Sequence, residues 1–322
     1  MHSVSAVTRA SKLSLTIPAA LLVCLVITIA LRSQSASGIP VWIRHSHPVR
    51  VVTNQPDEPA SLPSLVFWVW ERPEDLRFLH DRDTAVAFLA KTIVVRAPGK
   101  DSPKGPPGSF FVLPRRQPLR ISPGTPLIAV ARIEIPPAAS RSPNPIGTSP
   151  SPVAASPSAS ERQRIVSEIA ELQNLPGIRA IQIDFDATVT QRPFYASLLS
   201  GVHRKLPATV PLSITALASW CIGDPWLRQL PVGTIQEAVP MLFRMGPDSA
   251  DVAKFLRSGT DFPVAACRGS LGLSTDESFS RNLLAGKLPG APFSFRQKRI
   301  YVFSSRAWTP SAAQAVLKRW QP

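Results

Sequence analysis

Residues 178–187 read IRAIQIDFDA, and apolar and polar positions alternate through them. Every second residue from Ile181 to Phe185 is apolar, whereas Asp184 and Asp186 fall on the opposite face, which is the period-2 pattern of a β-strand. Carboxylates on a buried strand are costly unless they are paired, hydrated or used in chemistry. The mouth of an α/β barrel, where strand ends carry catalytic groups, is the usual place for such a strand.

Strand-like apolar segments alternate with helical ones along the rest of the chain. Residues 161–172, for example, place Ile165, Ile169 and Leu172 at helical spacing. The expected strands are 65–71, 84–96, 127–135, 178–187, 211–220, 235–245, 262–269 and 299–308. The expected helices begin at or span 73–79, 161–172, 193–206, 224–226, 248–258, 276–284 and 310–320, the last opened by Thr309 as cap and Pro310 in its first turn.

This alternation indicates parallel strands joined by crossover helices. About eight such units in a body of roughly 280 residues predict an α/β fold, a (β/α)₈ TIM-like barrel. An open doubly wound sheet is the alternative, but it normally has a glycine-rich turn after its first strand. The corresponding segment, WERP at residues 70–73, has no glycine.

The pattern divides the chain into three parts. Residues 1–37 contain an apolar run, 13–31, preceded by Arg9 and Lys12, and predict either a cleaved signal peptide or an uncleaved membrane anchor. Either one makes the body extracytoplasmic, secreted or periplasmic if cleaved and membrane-anchored if not. Residues 38–63 are a lead-in segment and 64–322 the barrel domain. Within it, residues 136–160 are almost entirely Pro, Ser, Ala, Thr and Gly, which predicts a disordered insertion.

Charge and composition narrow the function classes. The chain has 36 Lys and Arg against 21 Asp and Glu, a formal net charge of +15. The basic residues form no dense run and no recognition-helix or zinc-finger pattern, so nucleic-acid binding is disfavoured and attraction to an acidic surface or acidic polysaccharide is preferred.

Cys221 and Cys267 are compatible with a disulfide or with two buried thiols. No histidine lies at a predicted strand end, which argues against a histidine metal site or a Ser-His-Asp triad, and no cofactor is expected.

In a barrel, the strand ends bring polar side chains to one shared mouth. Paired carboxylates cleave glycosidic bonds, tryptophan faces stack on sugar rings, and arginine clamps acidic groups, so the expected partner is a polysaccharide or other cell-envelope glycan. Structural pairing of the two aspartates with Arg244 and Arg268 is the alternative. The candidate catalytic residues are Asp184, Asp186, Glu71 and Glu134, and the candidate substrate-binding residues are Trp70, Trp220, Arg244, Arg268 and Trp308.

The segment IQIDFDA resembles the strand-four motif of chitinase-like glycoside hydrolases, in which alternate acidic residues end in a catalytic Glu. Asp184 and Asp186 take the two Asp positions, but the Glu position falls on Thr188, which cannot donate the proton, so that mechanism does not carry over. From about Leu65 to the C-terminus the chain more closely resembles the bacterial domain-of-unknown-function family 3142. The sequence segments that carry this resemblance include FWVWERPEDLRFL, LSITALASWC and EAVPMLFRMG. That resemblance implies a glycosidase-like barrel and export, with no established activity.

The leading hypothesis is an exported or membrane-anchored barrel that hydrolyses or binds a polysaccharide. In a hydrolase, Asp186 or Glu134 would be the general acid and Asp184 would tune its neighbour through like-charge coupling. A non-catalytic carbohydrate-binding barrel is the second hypothesis, and Thr188 favours it. The third is a membrane-anchored scaffold whose basic surface meets anionic lipid or a partner.

Overall fold

The computed structural model describes residues 62–79, 84–95, 110–136, 157–285 and 298–320. The chain divides into two units, 1–46 and 47–322, and all the described residues belong to the second. The predicted signal or anchor, nearly all of the lead-in segment and most of the Pro/Ser-rich insertion lie outside the described residues. Within the described ranges, no helix is long and apolar enough to cross a membrane.

Eight parallel strands form a closed ring. Its closure is set by β1 (Leu65–Val69), which pairs in parallel with both the last strand and β3 (Thr84–Val95). The other strands of the ring, in the order in which they pair onward from β3, are β6 (Leu127–Glu134), β7 (Ile178–Asp184), β8 (Leu212–Leu217), β9 (Glu237–Met241), β10 (Ser270–Ser274) and β11 (Arg299–Phe303). The predicted (β/α)₈ barrel is therefore confirmed.

Three short strands of the described residues lie outside the ring. β4 (Phe110–Pro114) folds back antiparallel on the second half of β3. β2 (Glu74–Leu76) and β5 (Leu119–Ile121) form a separate two-stranded parallel sheet. These strands occupy the first two crossovers of the barrel.

Each barrel strand is buried on both faces because the ring encloses one core and the helices cover another. In β1, Val66 and Trp68 belong to the cluster inside the ring, whereas Leu65, Phe67 and Val69 pack in the outer cluster beneath the helices. All five side chains are buried. The near-continuous apolar run LVFWV follows from this double burial.

In the described ranges, six α-helices follow the strands from β6 onward. They are α1 (Ala159–Ala170), α2 (Arg192–Lys205), α3 (Ala218–Ile222), α4 (Ser249–Ser258), α5 (Ser278–Leu284) and α6 (Pro310–Trp320). A capping box between Ser158 and Glu161 starts α1. At α6, the Ala312 amide donates to Thr309 Oγ1 over 3.2 Å and Pro310 occupies the first turn, as predicted.

The helix predicted to start at Pro73 is wrong, because this segment forms strand β2. Glu74 of β2 is 4% exposed, and its carboxylate needs partners. It accepts from Arg72 Nε at 2.6 Å and from the Trp308 amide at 2.9 Å. Arg72 also donates to the carbonyls of Ser304, Ser305 and Arg306, so this segment ties the start of the barrel to its end.

The strand predicted over 262–269 is also misplaced. Residues Ala265–Cys267 form a single 3₁₀ turn, and strand β10 begins afterwards at Ser270. The number of barrel strands was predicted correctly, but this strand was placed one segment too early.

Candidate active site at the C-terminal mouth of the barrel

Asp184, the last residue of β7, lies at the C-terminal end of the ring on its inner face. Its side chain is buried, and its two oxygens are held from the neighbouring strands on either side. Oδ2 accepts from Arg132 Nη1 of β6 at 2.7 Å, and Oδ1 accepts from Thr215 Oγ1 of β8 at 2.7 Å. The β6–β7 register places Arg132 directly opposite Asp184. This carboxylate is therefore fixed in place.

The guanidinium of Arg132 contacts three other side chains at the mouth, those of Asp184, Glu134 and Trp70. Its Nε donates to Glu134 Oε1 at 2.9 Å, and its guanidinium lies 5.6 Å from the ring centre of Trp70. Burial alone would lower the pKa of Arg132, but the carboxylates of Asp184 and Glu134 outweigh that effect and raise it. The cation is therefore permanent, and Glu134, although exposed, is engaged in an ion pair.

Asp186 has a different environment from Asp184, two residues away. No hydrogen bond or ion pair reaches it from the described part of the chain, and its side chain is open to solvent. Its pKa is nonetheless raised, first because the walls of the mouth desolvate the carboxyl and second because of the negative charge of Asp184; Arg132 offsets part of the shift. Asp186 therefore keeps its proton to higher pH than an ordinary aspartate.

Aromatic rings close the barrel beneath the carboxylates. The stacked pair Trp68 and Phe303 have ring centres 5.1 Å apart, and Trp70 and Phe243 pack on either side at 4.3 Å and 4.8 Å. Trp68 is also anchored by its Nε1, which donates to Gln182 Oε1 at 2.9 Å. Trp70 and Phe243 remain partly exposed and give the mouth an apolar floor.

Sequence reasoning missed three residues of this mouth: Thr215, Phe243 and Phe303. Thr215 sits at an alternate position of LSITAL, the same signal that identified Asp184 on its own strand. Phe243 follows β9 immediately, and Phe303 ends β11. Each could have been found by applying the alternation rule to the strand ends.

The expectation that Trp220 and Trp308 offer sugar-stacking faces is wrong for this structure. Trp220 is 2% exposed and packs edge-on against Trp226, with ring centres 5.0 Å apart. Trp308 is 4% exposed, packs edge-on against Phe67, and donates from Nε1 to the Trp68 carbonyl. Both indoles belong to the outer core because the segments after β8 and β11 turn back over the strands.

Arg268 is not at the mouth. It precedes β10, and its neighbour Gly269 accepts from the amide of Arg299, the first residue of β11, so Arg268 lies at the N-terminal end of the barrel. Its Nε donates to the Phe262 carbonyl. The misplaced strand explains this error.

Arg244 does lie at the mouth, just after β9 and Phe243. Its backbone is left-handed, with φ of 50°, and its amide donates to the two carboxylate oxygens of Glu277 at 3.0 and 3.2 Å. Neither Arg244 nor Arg268 pairs with the aspartates; Asp184 pairs with Arg132 instead.

Glu71 and Thr188 have structural partners near the mouth. Glu71 Oε1 accepts from the amides of Arg116 and Gln117 at 2.8 and 3.0 Å, so its carboxylate holds the loop after β4. The Thr188 amide donates to Gln191 Oε1 at 2.9 Å at the start of a 3₁₀ turn. Glu71 therefore has a role other than catalysis, and Thr188 caps the chain as it leaves the mouth.

Behind β7 and β8, aromatic side chains support the mouth. Tyr195 of α2 packs edge-on against Phe185, with ring centres 5.1 Å apart, and in a tilted arrangement against Trp226, with ring centres 5.6 Å apart. Its pKa is raised well above the usual value, first by burial and then by the charges of Asp184 and Asp186. Cys221, beside this cluster on α3, forms a disulfide with Cys267, and their Cα atoms are 5.8 Å apart. Of the two alternatives for these cysteines, the structure contains the disulfide.

A pocket of about 740 Å³ opens at the opposite, N-terminal end of the barrel. Two of its ionisable groups are paired with each other: Arg299 Nη1 donates to Glu237 Oε1 at 2.6 Å, and Tyr301 Oη donates to Glu237 Oε2 at 2.6 Å. Arg299 also donates to two carbonyls of the chain entering the barrel. In TIM barrels the N-terminal end of the ring generally serves stability, whereas catalytic groups lie at the C-terminal end.

The described residues contain no cluster of three or more His, Cys, Asp or Glu arranged to hold a metal ion.

Comparisons with known proteins supply a distant structural likeness. No family model and no curated protein matches the chain. Among solved structures, it is similar to the endo-beta-N-acetylglucosaminidase from Cordyceps militaris in apo form, with a TM-score of 0.42 and 7% identity over 82% of this chain and 92% of that one. The barrel assignment rests on the strand pairing described above.

Proposed function

We propose that this barrel hydrolyses glycosidic bonds of a polysaccharide, with Asp186 as the general acid. The observation that supports this is Asp186 itself, an accessible carboxyl without a partner among the described residues and with a raised pKa, at the catalytic end of the barrel. A general acid must hold a proton at working pH and release it to the leaving oxygen. The raised pKa of Asp186 favours the first requirement, and the exposure of its side chain to solvent favours the second.

The other mouth residues have supporting roles in this proposal. Asp184, locked by Arg132 and Thr215, contributes the negative charge that favours the protonated form of Asp186. Glu134 is the weaker candidate for the acid because it is paired with Arg132. The half-exposed ring of Trp70 provides an apolar surface for a sugar.

The proposal includes an extracytoplasmic location. The Cys221–Cys267 disulfide supports it, because disulfides persist in oxidising compartments. Export through residues 1–37, attachment to a membrane, and membership of domain-of-unknown-function family 3142 remain predictions from the sequence.

The test is a hydrolysis screen of the full chain against a polysaccharide panel, measuring release of reducing ends. Replacement Asp186→Asn removes the proton donor and should lower turnover by about 10²- to 10⁴-fold. The matched control is Asp251→Asn, the same change at an exposed position on α4 outside the ring. Equal turnover by the parent and Asp186→Asn would overturn the assignment.

A non-catalytic carbohydrate-binding barrel is the second candidate. Thr188, which occupies the position of the chitinase-like glutamate and serves as a cap, favours it. In that case, the parent and Asp186→Asn would both bind glycan, and neither would release reducing ends.

A further inference from the structure

Arg244 is positioned at the mouth at a cost to the backbone. A side chain in the left-handed region costs on the order of 1 kcal/mol, and glycine or asparagine would fit there more easily. Arg244 nevertheless has φ of 50°, the one non-glycine residue with positive φ in the described ranges. Glu277 holds its amide with both oxygens and thereby stabilises the turn.

The guanidinium of Arg244 is not engaged. Its side chain is exposed and makes no hydrogen bond or ion pair with the described residues. Three other arginines at this end are used internally: Arg132 binds Asp184 and Glu134, Arg72 binds Glu74, and Arg115 binds the carbonyls of Trp70 and Arg72. Arg244 is therefore available to a ligand, whereas these three are not.

The acidic groups near Arg244 have partners other than its guanidinium. Glu277 accepts the Arg244 amide, and Asp276 accepts the Ser305 amide at 2.8 Å. Glu134 and Asp184 are paired with Arg132. Asp186 has no hydrogen-bond or ion-pair partner among the described residues, and its protonation, which the raised pKa favours, would lessen the repulsion of an anionic ligand. The chain's net charge of +15 acts in the same direction.

We propose that Arg244 reads a carboxylate or sulfate group on the glycan, which makes the substrate an acidic polysaccharide. This inference rests on the proposed glycan function of the same mouth. Asp186 follows β7 and Arg244 follows β9, with β8 between them. Two strand spacings put them about 10 Å apart. Arg244 therefore contacts a group away from the glycosidic oxygen that Asp186 protonates. It determines which polysaccharide is bound.

The test measures binding of the full chain to two matched probe pairs. Polygalacturonate is compared with its methyl ester, and dextran sulfate with dextran, so that each pair differs in charge on one backbone. The variant Arg244→Asn removes the guanidinium and suits the left-handed turn, so the protein should unfold at the same or higher temperature. The control Arg257→Asn makes the same charge change on α4, outside the ring.

We expect Arg244→Asn to weaken binding of the acidic probe by about 10- to 100-fold, with little change for the neutral probe and none for Arg257→Asn. The preferred acidic probe then distinguishes carboxylate from sulfate. Equal affinity of the parent for acidic and neutral probes, no binding to either acidic probe, or an equal loss on both members of a pair in Arg244→Asn would overturn the inference.

The same variants separate this inference from the proposed hydrolysis. Asp186-dependent cleavage that is indifferent to Arg244→Asn would leave the hydrolase intact and refute the role of Arg244. Arg244-dependent binding of the acidic probe, with no cleavage by the parent, would refute the hydrolase and retain the acidic ligand.

Discussion

Asp184 and Asp186 show how neighbours give two identical side chains different properties. They are two residues apart on one face of the same strand pattern, so the sequence treats them alike. Asp184 faces Arg132 and Thr215 across hydrogen bonds of 2.7 Å, whereas Asp186, one step past the end of β7, has no such partner among the described residues. One is a fixed charge and the other an accessible acid.

This difference predicts a pH dependence. If protonated Asp186 is the acid, turnover is lost as pH rises through its raised pKa. Asp184→Asn removes a charge that raises that pKa and leaves Arg132, which lowers it, so the loss should occur at lower pH. A pH profile of kcat/KM for the parent and Asp184→Asn measures the shift. An unmoved basic limb would mean that another group supplies the proton.

Two buried tyrosines provide a matched stability test. Tyr195 and Tyr301 are both fully buried, but Tyr301 Oη donates to Glu237 at 2.6 Å, whereas Tyr195 Oη has no partner among the described residues. Tyr195→Phe removes an unsatisfied hydroxyl and should raise the free energy of unfolding by about 1 kcal/mol; Tyr301→Phe should lower it by about 2 kcal/mol. Denaturant unfolding measures both. Destabilisation by Tyr195→Phe would show that its hydroxyl has a partner.

At the scale of single elements, periodicity predicted a strand correctly where both of its faces showed a clear residue pattern. β7 was recognised because apolar residues alternate with carboxylates, and α6 because Thr309 and Pro310 mark its start. The same rule placed Asp184 and Trp70 at the mouth.

Periodicity failed at β10 because its inward positions carry almost no side chain. The strand reads SLGLS, and only Leu271 and Leu273 are apolar. Packing favours glycine at position 272: a Cβ there would lie 3.3 Å from Cε2 of Phe303, a tight contact with a ring that packs between Trp68 and Phe243. The preceding segment FPVAACRG is more apolar, so the strand was predicted there. Arg268 was consequently assigned to the wrong end of the barrel.

Partners in space also lay beyond the reach of the sequence. Trp220 and Trp308 stand at strand ends in the sequence, but their loops fold back and bury them. The pairing of Arg132 with Asp184 needs the β6–β7 register, which alternation alone does not provide. The number and order of the strands follow from periodicity and connectivity. Which charged residues at the mouth are paired and which are unpaired depends on packing.

For the whole molecule, one covalent link joins distant parts of the second half of the barrel. Cys221 on α3 and Cys267 in the turn before β10 are 46 residues apart, and the loop between them contains β9 and α4.

Closing a loop of this length raises the free energy of the unfolded state by about 4 kcal/mol in the chain-entropy model. The free energy of unfolding in denaturant should therefore fall by about 2 to 5 kcal/mol when both cysteines are replaced by alanine. Each single replacement should be at least as destabilising because it leaves a lone buried thiol. Insensitivity of the parent to a strong reductant, with unchanged stability of the double variant, would show that the link is absent in solution and would remove the support it gives to an extracytoplasmic location.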